Sequence, residues 1–337
     1  ELHRLKFTSR QLAALEARVE ILKGTKMEFD QESRALYDAT APIYKEEDFD
    51  LILKEIDSML PGNSDLHARY ETFKKRFIIP KEKLDTVFRT AIQECKSRTQ
   101  KHLQLPPNET FTVEYVQGKS WSGYNWYQGN YRSIIQVNTD LPIAIDRAID
   151  LACHEGYPGH HILNSLIEKN LVRDRGWIEF SVYPLFSPLS LIAEGTANYG
   201  IDVAFPGNER VTYEKEKLFP LAGLDPKSAD PYYKVMSLVY KLDHAGNIAA
   251  RKYLNGEITG EQAAELLQKY ALMLPEIAQR RIRFFNQYRS YVINYNLGQD
   301  LVRNYIESKG GGDSEKRWKE FELLLSFPRL PSELTTK

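Results

Sequence analysis

Apolar side chains that recur every three or four residues over most of its length make this a mainly α-helical chain. Two short stretches of alternating apolar and polar residues add a small β-sheet. Breaks at Pro61-Gly62-Asn63, Ile79-Pro80 and Leu105-Pro106-Pro107-Asn108 separate the segments, and no internal period appears. The expected architecture is therefore a multi-helical body with one small sheet.

Taken in order, Thr8 and Gln11 read as a capping box ahead of Leu12, Leu15, Val19 and Leu22, with Gly24 as the stop. Helices are expected over residues 29–39, 47–60, 64–77 and 81–104. Phe111, Val113 and Tyr115 alternate with Thr112, Glu114 and Val116, which gives a strand. Gly118 to Gly129 reads as an aromatic-rich turn region, and Ser133 to Asn138 as a second strand. Helix resumes through Ile143, Ile145, Ala148, Ile149 and Ala152. Further helices are expected near 159–170, 190–204, 208–218, 230–254, 260–271, 275–307 and 314–326. The natural division is a helical region 1–104 and a larger region 105–337, with one continuous domain as the alternative.

The 337 residues suffice for a substantial core in either case. With 42% hydrophobic and 27% charged residues and a net charge of −1, nothing favours nucleic acid or an anionic membrane as partner. No apolar run reaches transmembrane length, and no signal peptide is visible. Because the chain opens on Glu1, an N-terminal piece is expected to have been removed. That expectation points to a secreted or periplasmic protein, and otherwise to a cytoplasmic one. Cys95 and Cys153 make no disulfide framework, and Cys153 reads as a small core residue.

Chemistry concentrates in His154-Glu155-Gly156-Tyr157-Pro158-Gly159-His160-His161, which holds three of the seven histidines. Imidazole is the commonest metal ligand among side chains. A Glu directly after the first His suits the general base of a zinc hydrolase. In the usual motif the second His follows four residues later on one helix face, but that position is Pro158. On a straight helix His160 would point about 240° around from His154, and His161 would sit roughly 10 Å further along the same face. Zinc requires nitrogens at about 2.0–2.1 Å, so neither pairing works without a bend. Gly156, Pro158 and Gly159 are the residues that would provide one.

A catalytic zinc takes a third protein ligand. Glu194 is the best candidate, in the apolar segment Leu191-Ile192-Ala193-Glu194-Gly195-Thr196-Ala197-Asn198-Tyr199-Gly200. An unpaired carboxylate would be costly there, and coordination would resolve the cost. Asn198 and Asp202 follow at one-turn intervals as residues that could orient the ligands. The competing reading is that His154 and Glu194 are hydrogen-bonded core residues, while His160 and His161 cap a helix at the bend.

These residues resemble the H-E-x-x-P-G-H-H signature of the family known as domain of unknown function 885, regarded as zincin-like metallopeptidases. Glu194-Gly195-Thr196-Ala197-Asn198-Tyr199 is similar to the family's E-G-x-A-x-Y segment, and Tyr288 to Gly298 looks like its C-terminal helix. The resemblance spans roughly residues 130–305, in the family's order. It implies a zincin-like catalytic body in which His154, His160 and Glu194 bind one Zn2+ and Glu155 activates water. His161 is the alternative ligand, less favoured because the family varies more there. Two departures fall on Thr196, where an aromatic residue is common, and on Ile201, where an acidic residue is expected and Asp202 comes one step late.

Acyl transfer also needs a donor for the oxyanion. Tyr288, Tyr291 and Tyr295 share a helical face, from which Tyr291 or Tyr295 could serve, although such a stripe is more often packing. Of the basic cluster Arg280, Arg281, Arg283 and Arg289, Arg289 is the candidate to grip a substrate carboxylate, against the plainer alternative of a solvated face. The strand Ser133–Asn138 could align an extended peptide or lie inside the sheet. Asp243-His244 reads as a structural pair. The expected function is a zinc-dependent peptidase acting on a peptide or peptide-like small substrate, with oligomeric state open. The alternatives are a metal-dependent hydrolase of a non-peptide amide, and a non-catalytic helical interaction protein.

Overall fold

The computed structural model describes residues 1–335. Helices dominate it: α1 (Leu2–Leu22), α2 (Phe29–Tyr37), α3 (Glu46–Met59), α4 (Leu66–Lys75) and α5 (Leu84–Gln100) precede the sheet. The sheet comprises β1 (Thr110–Val116), β2 (Gly123–Gly129) and β3 (Arg132–Asn138). Then come α6 (Asp146–Leu151), α7 (His160–Ile167), α8 (Pro188–Ala204), α9 (Glu209–Tyr213), α10 (Phe219–Ala222), α11 (Ala229–Val239) and α12 (Ala245–Leu254). The last helices are α13 (Gly260–Ala271), α14 (Pro275–Tyr288), α15 (Ile293–Gly310) and α16 (Ser314–Ser326). The mainly α architecture with a small sheet agrees with the sequence pattern. None of the described helices is long and apolar enough to cross a membrane.

Four local expectations are corrected. Helix α1 begins at Leu2, and the Thr8 hydroxyl donates to the carbonyl of Arg4 inside it, so Thr8 caps nothing. This helix buries Phe7 and Ala14, while Leu12, Leu15, Val19 and Leu22 face solvent. The supposed turn region contains β2, whose strand-forming aromatics Tyr124, Trp126 and Tyr127 were masked by the flanking glycines. The strand order is β1-β3-β2, with β1 parallel and β2 antiparallel to β3. Strand β3 is therefore central and has no free edge to offer a peptide. Finally, the helix expected over 275–307 breaks at Arg289, a non-glycine residue at φ 52°. Glu32 of α2, 1% exposed, stabilises the break by accepting from the Ser290 amide (3.0 Å) and the Ser290 hydroxyl (2.6 Å).

Side chains on both sides of residue 104 meet in one core, where Phe77 stacks on Tyr232 at 4.1 Å between ring centroids. Cys95 and Cys153 are free thiols buried in the same core, as expected of Cys153. A second cluster joins α2 to α12, α13 and α14 through Phe29, Tyr37, Leu267 and Phe285.

Helices α8 and α15 approach at their backbones. A β-carbon on Gly195 would lie 2.4 Å from the carbonyl oxygen of Gly298, and one on Gly298 would lie 2.7 Å from that of Leu191. This contact sets Glu194 of α8 against the start of α15. Gly298→Ala should force the helices apart and cost about 1–3 kcal/mol in urea unfolding. Gly246→Ala meets nothing within 4 Å in α12 and should be stabilising by roughly 0.5–1 kcal/mol.

Candidate metal centre

The motif does bend, in two steps. After α6 the chain widens into a π-helical turn over Ala152–Gly156, where the Tyr157 amide donates to the Ala152 carbonyl at 3.1 Å. A cis Tyr157–Pro158 bond follows, and α7 starts at His160. Gly159 has an ordinary φ of −77°, so backbone freedom is not why glycine sits there. Proximity is the reason, since a β-carbon would lie 1.9 Å from the His154 carbonyl oxygen and 2.4 Å from that of Cys153.

The bend brings His154 Nε2 to 3.1 Å from His160 Nε2. Glu194 Oε2 lies 3.2 Å from the first and 3.6 Å from the second. Among the described residues these form the His/Cys/Asp/Glu group able to share an ion. A tetrahedral zinc with ligands at 2.0–2.1 Å separates its donor atoms by about 3.3 Å. The donor set fits that ion without rearrangement.

Neighbouring groups fix His154 and Glu194. His154 Nδ1 donates to Asn198 Oδ1 at 2.8 Å, which leaves Nε2 as the ring's free lone pair in the neutral form. Asn198 is itself held by its Nδ2 donating to the Tyr295 carbonyl at 2.9 Å. The Tyr291 hydroxyl donates to Glu194 Oε1 at 2.8 Å, and the buried Glu194 Oε2 faces only the two imidazole nitrogens. Burial pulls the His154 imidazole down, but its Glu194 hydrogen bond and the Glu155 charge prevail and hold it near 9. Burial pushes Glu194 up, and the charges of His160 and His154 overcome it, holding the carboxyl far below its usual range.

Glu155 is 4% exposed, and its Oε2 has no partner. Burial raises its pKa, against the opposing pull of His154 and His160. Gly123 of β2 packs against it, since a β-carbon there would lie 2.8 Å from both Glu155 Oε1 and Leu151 Cδ2 and would displace those side chains. Asn125 Nδ2, two residues on, donates to the Glu155 carbonyl at 2.8 Å. Both residues lay in the segment that sequence patterning assigned to a turn. Glu155 and the three donors open on a cavity of about 1230 Å³, walled by rings that include Trp121, Tyr124, Trp126 and Tyr288.

The remaining expectations divide. His161 is not an alternative ligand: it is fully buried, with Nε2 donating to Glu109 Oε2 at 2.9 Å and Nδ1 accepting from Ser133 Oγ at 2.8 Å. Arg289 does not line the cavity, because its Nε donates to Glu32 Oε2 at 2.5 Å. Tyr291 lines it, but its proton is committed to Glu194. Tyr295 also lines it, and its hydroxyl makes no hydrogen bond among the described residues. Asp202 pairs with Arg303 at the surface (3.1 Å) and orients no ligand. His244 faces Asp300 (3.4 Å) rather than pairing with Asp243, which lines the cavity.

Glu109 is a support that sequence reasoning missed. It accepts from Tyr157 (2.6 Å), His161 (2.9 Å) and Lys96 (2.7 Å), binding the bend to α5 and the start of β1. Burial pushes its carboxyl up, but these three partners hold it below the ordinary value. Glu109→Ala would leave the buried donors of Tyr157 and His161 unpaired, and should cost roughly 2–4 kcal/mol in denaturant unfolding.

No family model and no curated protein matches the chain. Among solved structures it is similar to a protein from Colwellia psychrerythraea described as a candidate lipoprotein, with a TM-score of 0.65 at 16% identity. The match covers 91% of this chain and 53% of the other, so the chain spans about half the length of that neighbour. At this identity the likeness establishes a shared fold.

Proposed function

We propose that this chain is a zinc-dependent hydrolase, most specifically a metallopeptidase cleaving short peptides. One observation carries the reading: donor atoms of two half-buried imidazoles and the buried Glu194 carboxylate converge at tetrahedral spacing beside the unpartnered Glu155 carboxylate, all open to one cavity. Structural ion pairs in cores are ordinarily closed off by their own hydrogen bonds, whereas Glu155 Oε2 is left without any and Glu194 Oε2 faces only the other two donor atoms. The ordered resemblance of the His154, Glu194 and Tyr288 segments to zincin-like peptidases supports the same reading.

His154, His160 and Glu194 would hold the ion. A zinc bound there supplies Lewis acidity, lowering the pKa of water and polarising the scissile carbonyl. Glu155 accepts the proton of the attacking water and returns it to the departing nitrogen. Its burial, by raising its proton affinity, suits it to both halves of that transfer. Of Tyr291 and Tyr295, Tyr295 is the one free to donate to the developing oxyanion, since Tyr291 is occupied in holding Glu194. Strand β2 lies on the sheet edge along the cavity and offers unpaired backbone groups to an extended substrate, the role that central β3 cannot take.

Protein purified without added metal should carry about one zinc per chain by elemental analysis. Glu155→Gln should keep that zinc and lose at least about 10²-fold in kcat on short peptides, whereas His154→Ala should lose the metal. A metal-free protein whose stability ignores chelators would overturn the proposal.

The proton near pH 9 on His154 sets a further expectation. Below that pH zinc must displace it, so affinity should rise with pH, by about tenfold per unit between pH 6 and 8. A competitive chelator titration measures this, and a flat profile would contradict the assigned ligand set.

A further inference from the structure

Arginines in this protein are generally engaged: Arg4, Arg98, Arg210, Arg251 and Arg289, among others, sit against carboxylates. Arg280 and Arg281 are among those that do not. Both line the cavity that contains the metal centre, and neither forms an ion pair or hydrogen bond with a described residue. The Arg281 Nε is buried without a partner. Rings surround its guanidinium, with Cζ 4.7 Å from the Phe284 centroid, 5.6 Å from that of Phe285 and 6.0 Å from that of Tyr295.

An unpaired cation among aromatic side chains is costly unless something completes it. The nearby carboxylates do not. Asp243 lines the same cavity outside ion-pair distance, and Asp140, which senses the charge of Arg280, accepts from the Gly118 amide at 3.0 Å. Burial lowers the Arg281 pKa, and the more distant Tyr295 and Asp243 offset it only in part. A carboxylate is the planar two-oxygen partner that a guanidinium fork grips best.

We infer that Arg280 and Arg281 form the carboxylate-binding end of the substrate cavity, which selects short peptides by their free C-terminus. Distance sets the length of the peptide. Arg281 Cζ lies 6.0 Å from the Tyr295 ring, which lies 5.8 Å from that of Tyr291, whose hydroxyl holds Glu194. These contacts bound the separation of the cation from the cluster at roughly 20 Å, which an extended chain covers in about six residues at most. The bond cleaved would lie within that reach of the carboxylate. Which bond is cut rests on the hydrolase reading; what is gripped rests on the cavity alone.

The test uses the full chain carrying Glu155→Gln, titrated calorimetrically with acetyl-Ala-Ala-Phe as the free acid and as its C-terminal amide. Both titrations are run with zinc and after chelation, because a zinc ion could itself attract the acid. The free acid should bind at least tenfold tighter than the amide in both states. Adding Arg281→Gln should shrink the preference below threefold, and Arg280→Gln should reduce it less. Should Arg281→Gln not fold, the acid–amide comparison and the Arg280→Gln protein still decide. Equal binding of acid and amide, no binding of the acid, or a preference that survives both substitutions would overturn the inference. A protein that prefers the acid yet carries no zinc and cleaves nothing would instead remove the hydrolase reading and leave this one standing.

Discussion

Backbone crowding at one point governs the rest of this structure: the carbonyl oxygen of His154 occupies the space where residue 159 would otherwise carry a β-carbon. Only glycine admits that approach. Because the chain folds back so tightly, α7 begins with His160 facing His154, and two imidazoles that a straight helix would point apart meet edge to face. The wide turn before it and the proline within it serve the same end, since each removes a helical constraint that would carry His160 onward.

A ligand cluster is useful only if its members cannot relax toward one another, and the surrounding hydrogen bonds prevent that. Asn198 fixes the His154 ring through Nδ1, Tyr291 fixes Glu194 through Oε1, and Glu109 secures the floor of the bend through Tyr157 and His161. The three supports come from separate parts of the chain. Their combined effect is to turn one free donor atom from each ligand toward a common point. The glycine contact of α8 with α15 makes two of these supports possible, by bringing Glu194 and Asn198 against Tyr291 and Tyr295.

The cavity is electrostatically divided. Its acidic part, Glu155 and Glu194, faces two imidazoles, while unpaired Arg280 and Arg281 stand on the α14 wall.

Much of the fold was legible in local pattern. Helices such as α13 and α16, bounded by Thr259, Asp313 and glycine breaks, match their expected ranges because caps and apolar period act within a few residues. The donor residues were legible too, since chemistry-bearing side chains are rare in apolar segments and stand out. Their partners were not. Whether His160 or His161 turns toward His154 depends on Glu109, 52 residues from His161, taking the other ring. Arg289 and Arg281 look alike in sequence, but distant Glu32 claims the first and leaves the second open to the cavity. Residue type and spacing thus determined which groups could do chemistry. Tertiary structure decided which of them are free to do it, because a buried polar group is committed by its nearest partner in space, and that partner lies far away along the chain.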